Sequence, residues 1–471
     1  MKIGFMQCDW KRDTFLKARR VVSGAGLPLK LAGWAPTPKE RGITVMMASK
    51  RFKTAGRVAG ILLVTFLWLF PVVALAETQA LEPLIQEALA NNRELRVAES
   101  RIAVADFRIT QAWGLPDPMV SIGYQNDGLT RYTYGDSPDA QWMYSVSQTL
   151  PFFGKRDLKQ AMAAADAEGV REAYEALRLR VAARIKELYY DLALIYRNLD
   201  LVAERAALFA RIEEAALSRY ASGTASQADA VMTQTEKYML REREAMLKQK
   251  IQSLEAMLSL TVGRETPSSF ARPAPVPLDS YVPDEAELIR KAYAQSPEIK
   301  NRGRMIAAAE AKINMLKREY YPDFTLTGSL AQRPGEYTNM WGIATSVNIP
   351  IFYKTKQEPA VREAQAALEG AKYELEAARL MAASGIRDNL AMFRAAENLM
   401  ELYRNALIPK AAQDFDLALA GYGTGRNDVL TVITRLKSYL DYELLYQGQL
   451  TERAKAVARI EALTEPALPA K

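Results

Sequence analysis

Reactive side chains are scarce in this sequence, and the scarcity narrows its chemistry. There is no histidine, and the one cysteine is Cys8, near the amino terminus. The commonest general base and metal ligand is therefore missing, and no thiol stands beyond residue 8. A catalytic centre would have to be assembled from carboxylates, Lys and Tyr converging on a pocket. The acidic residues instead fall mostly on helix faces at solvated spacing, so an enzyme is not expected and no cofactor is implied. Met392, Met400 and most other methionines sit at helical core spacing, the pattern of packing rather than of soft-metal binding.

What remains is the chemistry of surfaces. Four segments alternate with period two. Val120, Ile122 and Tyr124 oppose Ser121, Gly123 and Gln125, and Trp142, Tyr144 and Val146 oppose Ser145, Ser147 and Thr149. Phe324, Leu326 and Leu330 oppose Thr325, Thr327 and Ser329, and Trp341, Ile343, Val347 and Ile349 oppose Gly342, Ala344, Ser346 and Asn348. An aromatic and aliphatic face backed by a small, polar one suits lipid outside and water inside. Trp142, Tyr144, Phe324 and Trp341 are the candidates for an interfacial aromatic belt. Strands of about 9–11 residues cross a bilayer when tilted. A soluble half-buried sheet shows the same alternation, and four strands close no barrel, while open edges are forbidden in lipid. Three copies of the chain would supply twelve strands.

The elements that must hold these strands are helices of unusual length. From Lys155 to about Ser222 there is no proline, and Gly169 is the one interior glycine. Val181, Leu188, Ile195, Val202 and Phe209 fall seven apart, as do Ile185, Leu192, Leu199 and Ala206. This heptad predicts a supercoiling helix of about 67 residues, roughly 100 Å long. A second, from Lys356 to about Gly421, carries a looser stripe through Ile386, Phe393, Met400 and Leu407. Shorter helices are expected over about Leu84–Ala112 and Ala225–Val262, and end to end they match one long helix. The heptads alone favour a fibrous coiled coil, and the strands reverse that preference.

These elements occur twice. Asn92 to Gly263 and Ser296 to Leu463 repeat one order of events. Trp142 corresponds to Trp341, Leu115-Pro116-Asp117 to Tyr321-Pro322-Asp323, and Leu150-Pro151-Phe152-Phe153-Gly154-Lys155 to Ile349-Pro350-Ile351-Phe352-Tyr353-Lys354. The expected division is repeat 1 at 77–265, a Pro- and Ser-rich linker at 266–283, repeat 2 at 284–465 and a tail at 466–471. Ahead of them, Lys50, Arg51, Lys53 and Arg57 precede an apolar run, Val58–Leu69, and an Ala74-Leu75-Ala76 cleavage motif. Residues 46–76 therefore read as a signal peptide starting at Met46 or Met47, and 1–45 as a doubtful extension. The formal charge of +7 comes from this leader: residues 1–76 hold 13 of the 62 basic and 3 of the 55 acidic side chains, leaving about −3 on the remainder. A nucleic-acid partner is not expected.

In the order and spacing of these motifs the chain resembles the TolC family of outer membrane efflux proteins, in particular its cation-efflux (CusC- or CzcC-like) branch. The resemblance rests on the duplication, the Leu150–Arg156 turn, and two hairpin tips, Arg219-Tyr220-Ala221-Ser222-Gly223-Thr224 and Gly421-Tyr422-Gly423-Thr424-Gly425-Arg426-Asn427-Asp428. It implies a mainly α fold with a small membrane β part: a long periplasmic α-helical barrel, and four strands per chain in a trimeric 12-stranded outer-membrane barrel. It further implies passive export of substrate delivered by an inner-membrane RND pump and a periplasmic adaptor, heavy-metal cations being the expected cargo. Drug efflux or type I secretion is the alternative, and a periplasmic coiled-coil adaptor or structural protein a more distant one. By resemblance the adaptor meets the tips at Tyr220, Gly223, Thr224, Tyr422, Gly423, Gly425 and Arg426. An acidic ring closes the periplasmic end, with Asp416 as first candidate, Asp414 as alternate, and Arg426 pairing with a neighbouring acid. Without a cysteine after the leader, anchorage by protein alone is expected, in contact with outer-membrane lipid.

Overall fold

The computed structural model describes residues 80–266, 269–278, 281 and 283–466. The expected extension, the leader, residues 467–471 and part of the linker lie outside the described residues. Repeat 1 runs α1 (Leu81–Asn91), α2 (Arg93–Trp113), β1 (Met119–Gln125), β2 (Gln141–Leu150), α3 (Lys155–Ala221) and α4 (Gln227–Val262). Repeat 2 runs α5 (Glu285–Gln295), α6 (Pro297–Arg318), β3 (Asp323–Gln332), β4 (Met340–Asn348), α7 (Gln357–Leu402), a π-helical turn (Tyr403–Leu407), α8 (Ile408–Gly423) and α9 (Val429–Thr464).

Two of these boundaries differ from the sequence expectation. The helix expected over Leu84–Ala112 is divided at Asn92, whose side chain accepts from the Leu95 N–H (3.1 Å) and donates to the Thr261 carbonyl (2.8 Å). A polar residue that satisfies the first free amides of a helix starts a new one. Repeat 2 breaks at the matching Ser296, where Pro297 occupies the first turn of α6, a place that needs no amide proton. The second difference is in the second long helix, where Pro409 lacks an N–H and its ring crowds the carbonyl four residues back. A widened turn over Tyr403–Leu407 takes up that crowding and separates α7 from α8. α3 forms as expected, with 67 residues.

α3 is the axis of packing. α2 and α6 lie against it, as do α4 and α9. Its heptad rows are buried at Val181, Ile185, Leu188, Leu192, Val202 and Phe209. One core cluster joins Ile185 and Leu192 of α3 to Leu84 and Ile85 of α1 and Leu254, Leu258 and Val262 of α4. Another joins the two repeats near the tips: Phe209 and Ile212 of α3 meet Phe415 and Tyr422 of α8 and Val432, Ile433 and Leu436 of α9. Burying one such aliphatic side chain is worth roughly 1.5–3 kcal/mol, so this cluster binds the repeats firmly. Ion pairs add register along the α3–α9 seam: Lys186–Glu461 and Lys455–Asp191, both 2.6 Å, and Arg205–Glu443.

The strands form one antiparallel sheet in the order β1-β2-β3-β4. Ile122 pairs with Tyr144, Tyr144 with Leu330 and Leu330 with Trp341, so the four apolar rows share one face. Ser121, Ser145, Ser329 and Gly342 form a matching row on the other. A slip of one residue in any strand would put its apolar set on the polar face. β1 and β4 are edges, unpaired on their outer sides among the described residues. No described helix is long and apolar enough to cross a membrane.

Candidate functional site

Two regions carry the side chains that the sequence singles out: the hairpin tips and the sheet with the rim where it meets the helices.

At the first tip, α3 ends in two turn bonds, Gly223 N–H to Tyr220 O and Thr224 N–H to Arg219 O, both 2.9 Å. Gly223 sits at φ +72° and Gly425, its counterpart, at +76°, a left-handed geometry that costs a residue with a Cβ about 1–2 kcal/mol. Ser226 caps α4 by accepting from the Asp229 N–H, and Asp428 caps α9 by accepting from the Thr431 N–H. The bonds from Thr431 hold the Asp428 carboxyl below its ordinary value.

The two tips are joined within the chain by Arg219. Its guanidinium donates to the carbonyls of Tyr422 and Thr224 and lies 4.5 Å from the centre of the Tyr422 ring. Tyr422 is 1% exposed, whereas Tyr220 is 45% exposed. Burial pushes the Tyr422 hydroxyl above its ordinary value, with Arg219 opposing, and that hydroxyl has no hydrogen-bond partner among the described residues. Tyr422 therefore faces the core in this state, while Gly223, Thr224, Gly423, Gly425 and Arg426 are exposed. Of the acids expected to form a ring, Asp414 pairs with Arg435 at 3.1 Å. Asp416 is exposed, and neither it nor Arg426 forms an ion pair among the described residues. Arg219 is the residue that sequence reasoning passed over; it stood inside a quoted tip motif but had no local sign of a partner 203 positions away.

On the sheet, Trp142 and Tyr144 (each 37% exposed) and Trp341 (78%) lie on the apolar face, and Phe324 lies half-buried at its far end. Tyr124 joins the first group, 5.2 Å from Trp142 and stacked on Tyr132 at 5.1 Å. A second aromatic group, missed in the sequence because it falls in turns, gathers at the helical rim: Phe152 stacks on Tyr321 at 4.8 Å, with Phe153 and Phe352 exposed. Residues 142 to 150 separate the two groups by about 26 Å along the strand, comparable to the apolar band of outer-membrane barrels.

At that rim Lys155, 2% exposed, is held by repeat 2. Its ammonium donates to Asp323 (2.8 Å) and Glu319 (3.4 Å), and Asp323 also accepts from the Phe152 N–H (2.8 Å). The clasp fixes the start of α3 against the start of β3. A buried lysine is tolerable only with such partners.

Sheet, aromatic groups and paired long helices together define a segment of an outer-membrane channel wall. The chain belongs to the outer membrane efflux protein family, whose model matches residues 84–264 and 288–463, one match per repeat. Members are passive channels of the outer membrane with a periplasmic helical part, and not enzymes. Among curated relatives, the probable outer membrane lipoprotein SilC of Salmonella typhimurium is 27% identical over 290 residues, 57% of this chain and 60% of SilC. The cobalt-zinc-cadmium resistance protein CzcC of Cupriavidus metallidurans is 23% identical over 428 residues, covering 90% of this chain and 97% of CzcC. The structure of the outer membrane protein VceC of Vibrio cholerae aligns with a TM-score of 0.69 at 18% identity, over 82% of this chain and 97% of that one.

Proposed function

We propose that three copies of this chain form a closed conduit for export across the outer membrane, with heavy-metal cations as cargo. The observation that carries this reading is the sheet: its apolar face suits lipid, its opposite face suits water, and its two outer edges are unpaired among the described residues. Open edges are not tolerated in lipid, so the sheet must be completed by other strands. An inner-membrane RND pump and a periplasmic adaptor would deliver the cargo, the adaptor docking on the exposed tip residues Tyr220, Gly223, Thr224, Gly423, Gly425 and Arg426. Around a threefold axis, Asp416 would form an acidic ring that favours cations and resists anions. The bond from Arg219 to the tip of repeat 2 would restrain the aperture. The match to CzcC, across nearly the whole of both chains, supports metal over drug cargo.

The test is a deletion strain grown on graded copper, silver, cobalt, zinc and cadmium, with and without this chain, and in parallel on detergents and dyes. Loss of tolerance to one or more metals, restored by the chain, is expected. Unchanged metal tolerance together with lost drug tolerance would replace cations with small organic molecules as cargo. A soluble periplasmic monomer would end the channel reading itself.

A further inference from the structure

The Lys155 clasp joins the repeats within one chain, and the duplication supplies both halves of a second clasp that the chain cannot close on itself. In the matching motifs Lys155 corresponds to Lys354, and Asp323 to Asp117. Lys155 and Asp323 are paired at 2.8 Å. Lys354 and Asp117 are both exposed and form no ion pair among the described residues. They lie beside opposite edges of the sheet, Asp117 just before β1 and Lys354 just after β4. The helices show the same vacancy. α3 has both α2 and α6 against it, whereas α7 has α6 but not α2. α7 exposes Tyr373, Leu380 and Met381, and α2 exposes Phe107.

We propose that a second copy of this chain docks its β1 edge on β4 in the register of the β2–β3 pairing, and that its Asp117 closes on Lys354 as Asp323 closes on Lys155. The proposal rests on the ring reading and names the contact that builds the ring. Carrying the register over is a matter of correspondence. Ser147 pairs with Thr327, whose counterparts are Ser346 and Ser121; Tyr144 pairs with Leu330, whose counterparts are Ile343 and Tyr124. The resulting β4–β1 pairing sets Ser346 opposite Ser121, Ile343 opposite Tyr124 and Val347 opposite Val120. Apolar meets apolar and polar meets polar, so each face continues unbroken across the junction, and a one-residue slip would destroy that match. Glu319 has Trp113 as its counterpart, so the second clasp holds one carboxylate where the first holds two. It is therefore the weaker of the two and the more sensitive to loss of its acid.

The register is tested in the full chain with Cys8→Ser, which removes the one native thiol. Directly opposed Cβ atoms lie about 4.5–5.5 Å apart and diagonal ones about 7–8 Å. Ser121→Cys with Ser346→Cys is expected to cross-link copies to each other in membranes, and Ser121→Cys with Asn348→Cys to do so far less. The clasp is tested by charge: Asp117→Lys should reduce the trimer fraction on the order of tenfold or more, and adding Lys354→Asp should restore it. A trimer in which the Ser121–Asn348 pair cross-links in preference overturns the register while leaving the ring intact. Asp117→Lys without effect overturns the clasp. A wild-type chain that is monomeric in detergent overturns the ring reading, and this contact with it.

Discussion

Tyr220 and Tyr422 occupy the same place in their repeats, but one is a surface residue and the other a core residue held under Arg219. The motifs were legible because turn glycines and the tyrosines recur in fixed order. Their different fates were not, because no local pattern announces a contact between residues 219 and 422. Arg219 supplies two hydrogen bonds from a charged donor and a cation–π contact, each worth about 0.5–3 kcal/mol in general and less where water competes. Arg219→Ala should therefore loosen the junction of the tips and raise single-channel conductance in planar bilayers. Arg219→Lys, which keeps the charge but not the planar fork, should fall between. Conductance of Arg219→Ala equal to wild type would remove this residue from control of the aperture.

Among the helices, one tightly constrained joint is where α4 ends against the break between α1 and α2. Gly263, the left-handed residue after α4, lies so close to α1 that a Cβ would sit 2.4 Å from the Asn91 carbonyl oxygen. The obstacle is backbone and cannot swing away. Gly223 also has positive φ, but open space around it. Gly263→Ala is thus expected to lower the thermal midpoint well beyond Gly223→Ala, which bears only the conformational cost of about 1–2 kcal/mol. Equal midpoints for the two variants would show that this joint yields. The long heptad and the strand alternation could be read in advance because periodicity reports which face is buried. The break at Asn92 left a fainter mark, one capping residue inside an otherwise helical run. Close approach at Gly263 left none, since a turn glycine looks the same whether or not a neighbour lies above it.

Across the subunit, stability is distributed among several clusters joined by charged seams, so pH acts on it at identifiable places. Arg264 binds Glu87 through two bonds of 2.8 Å, which hold the Glu87 carboxyl below its ordinary value of 4.5. A carboxylate depressed in the folded state adds stability that is present above its unfolded value and is lost as pH falls through its folded value. The thermal midpoint should therefore be insensitive to this pair from pH 7 to 5 and should fall below about pH 4.5 as Glu87 protonates. Glu87→Gln should start lower at neutral pH and respond less to acid. A wild-type acid response identical to that of the variant would place the sensitivity elsewhere. The two sheet edges and the one-sided packing of α7 belong to this level as well: β1 and β4 have no strand beyond them among the described residues, and the proposed register says which rows would continue there.

The widened turn ahead of Pro409 also acts as a phase shifter. Ile386, Phe393, Met400 and Leu407 step by seven, and the next beats would be Asp414 and Gly421. The residues buried there are Phe415 and Tyr422, one position late. An extra residue in one turn rotates everything beyond it by about 100° on the helical wheel. Asp414 is thereby turned out to Arg435, and Tyr422 is turned in beneath Arg219. In repeat 1 the row from Ile185 continues by sevens to Tyr220. The widened turn takes up the one extra residue of repeat 2 and returns Tyr422 to the matching row. The two tyrosines thus share a helical phase and owe their different exposure to what packs against them.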